Sequence, residues 1–107
     1  MSEDKWIQVN WSASSDEEAK KVASIIITLR LAACAHIMPI QSLFLWKGNL
    51  EKAEERLVIF KTKESKYEKI EDVILKNAAY EVPEILKIPL LGGFKTYLDW
   101  IDETLKD

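Results

Sequence analysis

The chain has one cysteine, three glycines and three prolines in 107 residues, and each shortage excludes something. Cys34 alone cannot close a disulfide within the chain or supply a Cys/His zinc framework, so the fold depends on its core. Gly48, Gly92 and Gly93 are too few for a loop that cradles phosphate with several spaced glycines. Positive charge is not in excess. Fifteen basic against 18 acidic side chains leave a formal net charge of −3, which removes the counterion-release drive for DNA or RNA and excludes nucleic acid as the expected partner. The longest apolar run, Leu31 to Ile40, is too short to span a bilayer and contains His36, so no membrane role is expected. The opening Met1-Ser2-Glu3-Asp4-Lys5 lacks the apolar core of a signal peptide, and the expected home is the cytoplasm.

What is present, 48% hydrophobic and 31% charged residues, is the composition of one folded domain covering residues 1–107. Trp6 to Trp11 alternates as a half-buried strand with Ile7, Val9 and Trp11 on one face. Ser15-Asp16-Glu17-Glu18 reads as a capping box, followed by Ala19, Val22, Ala23, Ile26 and Leu29 at helical spacing, which predicts a helix over about 16–30. Leu31 to Trp46 predicts a long second strand, bent or bulged at Pro39. Lys47-Gly48-Asn49 is a turn signal, and the polar stretch Glu51 to Arg56 leads into a third strand at Leu57 to Thr62, making an antiparallel hairpin. Ser65-Lys66-Tyr67-Glu68 reads as a second capping box for a helix ending near Asn77. Glu84 to Leu90 predicts a fourth strand. After Gly92-Gly93 comes a third helix whose stripe is Phe94, Tyr97, Leu98, Ile101 and Leu105.

This order, βαββαβ plus a C-terminal helix, is the α+β, ferredoxin-like split-βαβ arrangement with two helices on one face of an antiparallel sheet. A strand from Leu31 to Trp46 would reach roughly 50 Å, far beyond a core whose radius of gyration should be near 13 Å. Leu43 to Trp46 and Leu57 to Phe60 are apolar at odd and even positions alike, so both faces of the ribbon need cover. The expectation is a tight homo-oligomer that docks edge strands and open faces into a closed ring.

Few residues carry chemistry. Cys34, His36 and Met38 share a strand face, and thiolate, imidazole and thioether suit a soft metal such as Cu(I). Their outer pair is about 13 Å apart, so Cys34 and Met38 cannot hold one ion within a chain. A Cys34–His36 metal pair stands beside the reading of Cys34 as a buried hydrophobe and His36 as a hydrogen-bonded interior or interface residue. As a thiolate–imidazolium nucleophile the two are expected to be too far apart. Lys61, Glu81 and Glu84 flank apolar strand positions near Tyr80 and Trp46 and could line a polar pocket with an aromatic wall; solvated or paired end-of-strand charges are the alternative. No acid/base pair is held at a defined separation, so no enzyme activity is expected.

Arg30-Leu31-Ala32-Ala33-Cys34-Ala35-His36-Ile37, Ser42 to Gly48, Phe60-Lys61-Thr62, Tyr80-Glu81-Val82-Pro83-Glu84-Ile85 and Tyr97 to Ile101 occur in the order and spacing of the CutA divalent-cation tolerance family, which the chain resembles along nearly its whole length. The resemblance implies a ferredoxin-like homotrimer whose second and third strands pair between subunits. It further implies tolerance to copper and other divalent cations, and a likeness to the trimeric PII signalling proteins. No cofactor is required, and no reaction is implied. Carried over by position, Cys34 matches the family cysteine implicated in copper binding. Trp46, Lys61, Tyr80, Pro83 and Glu84 match a small-molecule cleft between subunits. His36 stands where a small polar residue is common, Leu45 where Tyr or Arg often precedes the Trp, and Ala79 where a His is usual. The alternative role is a structural trimeric protein-interaction module.

Overall fold

The computed structural model describes residues 3–106. The elements run β1 (Trp6–Ala13), α1 (Asp16–Thr28), β2 (Cys34–Trp46), β3 (Asn49–Lys63), α2 (Tyr67–Asn77), β4 (Ile85–Pro89) and α3 (Lys95–Thr104). The sheet is antiparallel with strand order β2-β3-β1-β4, so β2 and β4 are its edges. Ile7, Val9 and Trp11 on β1 and Val58 and Phe60 on β3 are buried, and they meet Val22 and Ile26 of α1 and Ile70 and Ile74 of α2 in one core. The anticipated face of the first strand is therefore the one that packs.

Helix α1 starts as expected, with the Ser15 hydroxyl accepting the Glu18 amide at 3.1 Å. The return bond is displaced by one residue, because Glu18 Oε1 accepts from the Ser14 amide at 2.9 Å. The helix also ends earlier than about 30. Arg30 takes a left-handed φ of 59°, while the amides of Arg30 and Leu31 bond back to the carbonyls of Ile27 and Ile26. Thr62 Oγ1 then donates to the Leu31 carbonyl at 2.6 Å, so Leu31 to Ala33 form a buried connection and the strand begins at Cys34.

Pro39 causes no bulge. The β2–β3 register runs unbroken from Cys34 opposite Lys61 to Trp46 opposite Asn49. An edge strand tolerates a missing N–H on its unpaired side. The third strand is longer than expected, because Glu51 to Arg56 belong to the ladder and not to a lead-in. Ser65 does not cap α2 either. Its hydroxyl donates to Asp4 Oδ2 at 2.6 Å, its amide meets Asp4 Oδ1, and a short 3-10 turn over Glu64–Lys66 opens the helix instead. These bonds outweigh burial and, with nearby Lys63 and Lys66, hold the Asp4 carboxyl below its usual range.

Helix α3 packs Leu98, Ile101 and Leu105 against Ala33 and Trp6, and Asp102 accepts from the Trp6 indole at 2.9 Å. Phe94 and Tyr97, expected in its buried stripe, are exposed. The β2–β3 hairpin extends well past the core and accounts for a long axis of 45 Å against 25 Å in the other directions.

The hairpin closes through Lys47 and Gly48, both at positive φ (52° and 81°), as a two-residue turn matched to strand twist requires. A Cβ on Gly48 would meet nothing within 4 Å. Gly48→Ala should therefore cost only the left-handed backbone strain, about 1 kcal/mol in a denaturant titration.

Candidate functional site

Because the registers are constant, Cys34, His36, Phe44 and Trp46 of β2 and Glu55 and Lys61 of β3 all lie on the sheet face turned away from α1 and α2. That face carries two separate groups of candidate residues, one at each end of the hairpin.

At the base, Cys34 Sγ lies 3.5 Å from His36 Nε2. The imidazole reaches back along the strand and spans the two-residue step, so the expectation that the pair stands too far apart is corrected. Cys34 is half-buried and His36 exposed, which also corrects the picture of a fully buried thiol. Tyr97 of α3 comes down beside the same thiol; burial, and then the neighbouring Cys34, push its phenol above the ordinary value. Lys61 is the cross-strand partner of Cys34. Among the described residues no three His, Cys, Asp or Glu side chains converge to hold a metal, so a single chain offers two ligands at most here. Thiolate and imidazole nonetheless form a donor set suited to copper.

Toward the tip, the hairpin and the loop between α2 and β4 enclose an open cavity of about 720 Å³. Trp46, Phe44 and Tyr80 give its aromatic walls, and Glu55 and Glu84 reach it from β3 and the loop. Glu55 is only 5% exposed. Burial, together with a hydrogen bond to the Glu55 carboxylate, pushes the Tyr80 phenol up to about 12. Glu18 fixes the loop: its Oε2 accepts from the Ala79 amide at 2.8 Å, while its other oxygen holds the start of α1.

Of the residues expected to share a pocket, Trp46, Tyr80, Glu81 and Glu84 are brought together and Lys61 is not. Lys61 is six positions along β3 from Glu55, roughly 20 Å away. Phe44, Glu55 and Tyr97 were missed. The first two were accessible in principle: a turn that pairs Trp46 with Asn49 also places Glu55 opposite Ile40 and on the face of Trp46.

The sequence profile of the family described as CutA1 divalent ion tolerance protein matches residues 7–104. The chain belongs to this family. The divalent-cation tolerance protein CutA of Archaeoglobus fulgidus is 41% identical over 95 residues, 89% of this chain and 93% of that protein. A solved structure from the same organism, described as a periplasmic divalent cation tolerance protein CutA, superposes with a TM-score of 0.92 at 39% identity, covering 94% of this chain and 99% of that one. CutA1 from Oryza sativa superposes with a TM-score of 0.93 at 33% identity, covering 97% and 96%. The chain spans about half the length of the chloroplastic CutA of Arabidopsis thaliana, 50% of it at 36% identity. The α+β fold with its four-stranded antiparallel sheet and three helices is thus the CutA1 fold. The two Archaeoglobus fulgidus proteins are named for divalent-cation tolerance and not for a reaction. No helix among the described residues is long and apolar enough to cross a membrane.

Proposed function

We propose that this CutA1-family chain is a non-catalytic, homotrimeric divalent-cation tolerance protein with a ferredoxin-like subunit. It takes copper or another divalent cation as cargo at Cys34 and His36, and a small molecule at a cleft built on Trp46, Tyr80 and Glu84. The contact of Cys34 Sγ with His36 Nε2 at 3.5 Å on an accessible strand carries this reading. A deprotonated thiol and a neutral imidazole at that spacing can turn onto one ion. Water or a neighbouring copy completes the coordination. Assembly through the two sheet edges would cover the apolar hairpin and bring a neighbour's Lys61 to the cleft, where its own chain does not place it. PII-like signalling is the role that a ligand-responsive trimer of this kind would serve. We place the protein in the cytoplasm, where a free thiol stays reduced.

Isothermal titration with Cu(II), and with Cu(I) under anaerobic conditions, tests the site. The unaltered protein should bind tightly, and His36→Ala and Cys34→Ser should each weaken binding by at least tenfold. The same isotherm in all three proteins would overturn the assignment.

A further inference from the structure

Helix α3 stands apart from the main core. Its apolar stripe, Leu98, Ile101 and Leu105, is buried with Ala33 and Trp6 in a small cluster separate from the one that joins α1 and α2 to the sheet. Its polar ties meet at one carboxylate. Asp102 accepts from the Trp6 indole at 2.9 Å and pairs with the Lys63 ammonium at 3.1 Å, and that ammonium also lies 5.6 Å from the centroid of the Trp6 ring. Arg30 adds a bond to the Thr104 carbonyl at 3.0 Å. The approach to the helix is loose. The Leu90 amide bonds to the Trp6 carbonyl, but residues 91–93 make no backbone hydrogen bond among the described residues, and Leu91 to Phe94 are all exposed. An element with so little buried area, latched by a partly exposed ion pair and joined by a free tether, opens locally at a lower cost than the whole domain unfolds.

What α3 covers is the base of the hairpin. Ala33, under the stripe, is the residue before Cys34, and Tyr97, one position before Leu98, comes down beside the Cys34 thiol. Trp100 backs Tyr97, the two rings stacking at 5.6 Å and 26°. The thiol is half-buried, while His36, two residues on and on the same face, is exposed. An ion held by both side chains has to reach the sulfur from the open side of the sheet, and the Tyr97 ring stands on that side.

We propose that α3 is a hinged strap over the Cys34 thiol, latched by Asp102 to Trp6 and Lys63, and that release of the latch lifts Tyr97 away and opens the sulfur to its cargo. The cargo is copper or another divalent cation by the reading given above, and in that respect the proposal rests on it. Closed strap and loaded thiol compete for the same side of the sulfur, so the two equilibria are linked. Loading favours the open strap, and whatever opens the strap strengthens loading by the same factor.

The test is the rate at which iodoacetamide alkylates Cys34 in the native full chain, read together with amide hydrogen exchange along the chain. Asp102→Ala should speed alkylation at least fivefold and speed exchange in α3 to match, while the amides of β1 and β3 exchange as before. Gly48→Ala lowers overall stability without touching the strap, so it should leave the alkylation rate unchanged, whereas a route through global unfolding would run about fivefold faster in it. Where Asp102→Ala fails to fold, Asp102→Asn keeps an acceptor for the Trp6 indole, loses the Lys63 pair and should show a smaller change of the same sign. Equal alkylation rates in the unaltered and Asp102 proteins would overturn the proposal. So would no alkylation short of unfolding, α3 exchanging in step with β1 and β3, or Gly48→Ala matching Asp102→Ala. Copper titration separates the two readings. Tighter copper binding by Asp102→Ala supports both, copper binding with no effect of Asp102 on thiol access sinks the strap alone, and a strap that opens on a thiol that takes no copper sinks the metal reading alone.

Discussion

Phe60→Ala should remove about 3–5 kcal/mol of stability, a large share of the roughly 5–15 kcal/mol typical of a domain. Phe60 is fully buried. It stands at the centre of the sheet, with Val9 of β1 and Ala35 of β2 as its cross-strand neighbours. The sheet face that carries it is roofed by Ile26, Ile70 and Ile74. Deleting the ring leaves a void that two helices and three strands would have to fill together, and close-packed elements joined by a continuous ladder relax only in part. Urea unfolding at one fixed chain concentration checks it, since unfolding of an oligomer depends on concentration. A loss under 1 kcal/mol would mean that the helices do not pack on this face.

The parts of this fold that are legible in the sequence are those set by short-range rules. Ile7, Val9 and Trp11 alternate because one side of β1 is roofed and the other is not. The Lys47-Gly48 turn is legible because only a residue free to adopt positive φ closes so tight a hairpin. The over-long, two-faced ribbon is visible as an absence of alternation at Leu43 to Trp46.

What is not legible depends on partners distant in the chain. Glu51 to Arg56 look like a loop by composition, yet cross-strand pairing outweighs their low strand propensity once the turn sets the register. Ser65 looks like a helix cap, but Asp4, 61 residues away in sequence, captures it. At the candidate sites the same division holds. Trp46, Tyr80 and Glu84 are visible by motif and do converge on the cavity. Glu55 looks like one more surface carboxylate until the loop after α2 is laid over it. Lys61 shows the converse, since residues that belong to one motif set need not meet within one copy.

The second large effect concerns assembly. Leu45→Glu should convert the proposed trimer of about 37 kDa to a monomer of 12.3 kDa without unfolding it. In the single chain Leu43, Leu45 and Leu50 are 69%, 74% and 63% exposed, while Phe44 and Trp46 on the opposite face of the ribbon are 41% and 39% exposed. Neither helix α1 nor α2 reaches them, because the hairpin extends beyond the core along the 45 Å axis. A glutamate at position 45 thus removes no core contact from its own chain, and its far-UV circular dichroism should match that of the unaltered protein. In the proposed trimer the same carboxylate would be forced into an apolar seam, where burying an unpaired charge costs several kcal/mol per site. Because each closed ring repeats the contact three times, the penalty recurs at every seam and no partial assembly escapes it. Sedimentation velocity at low micromolar concentration reads the result. A monomer with native dichroism is the expected outcome. An unaltered oligomer would show that the Leu43, Leu45 and Leu50 face lies outside the seam between copies.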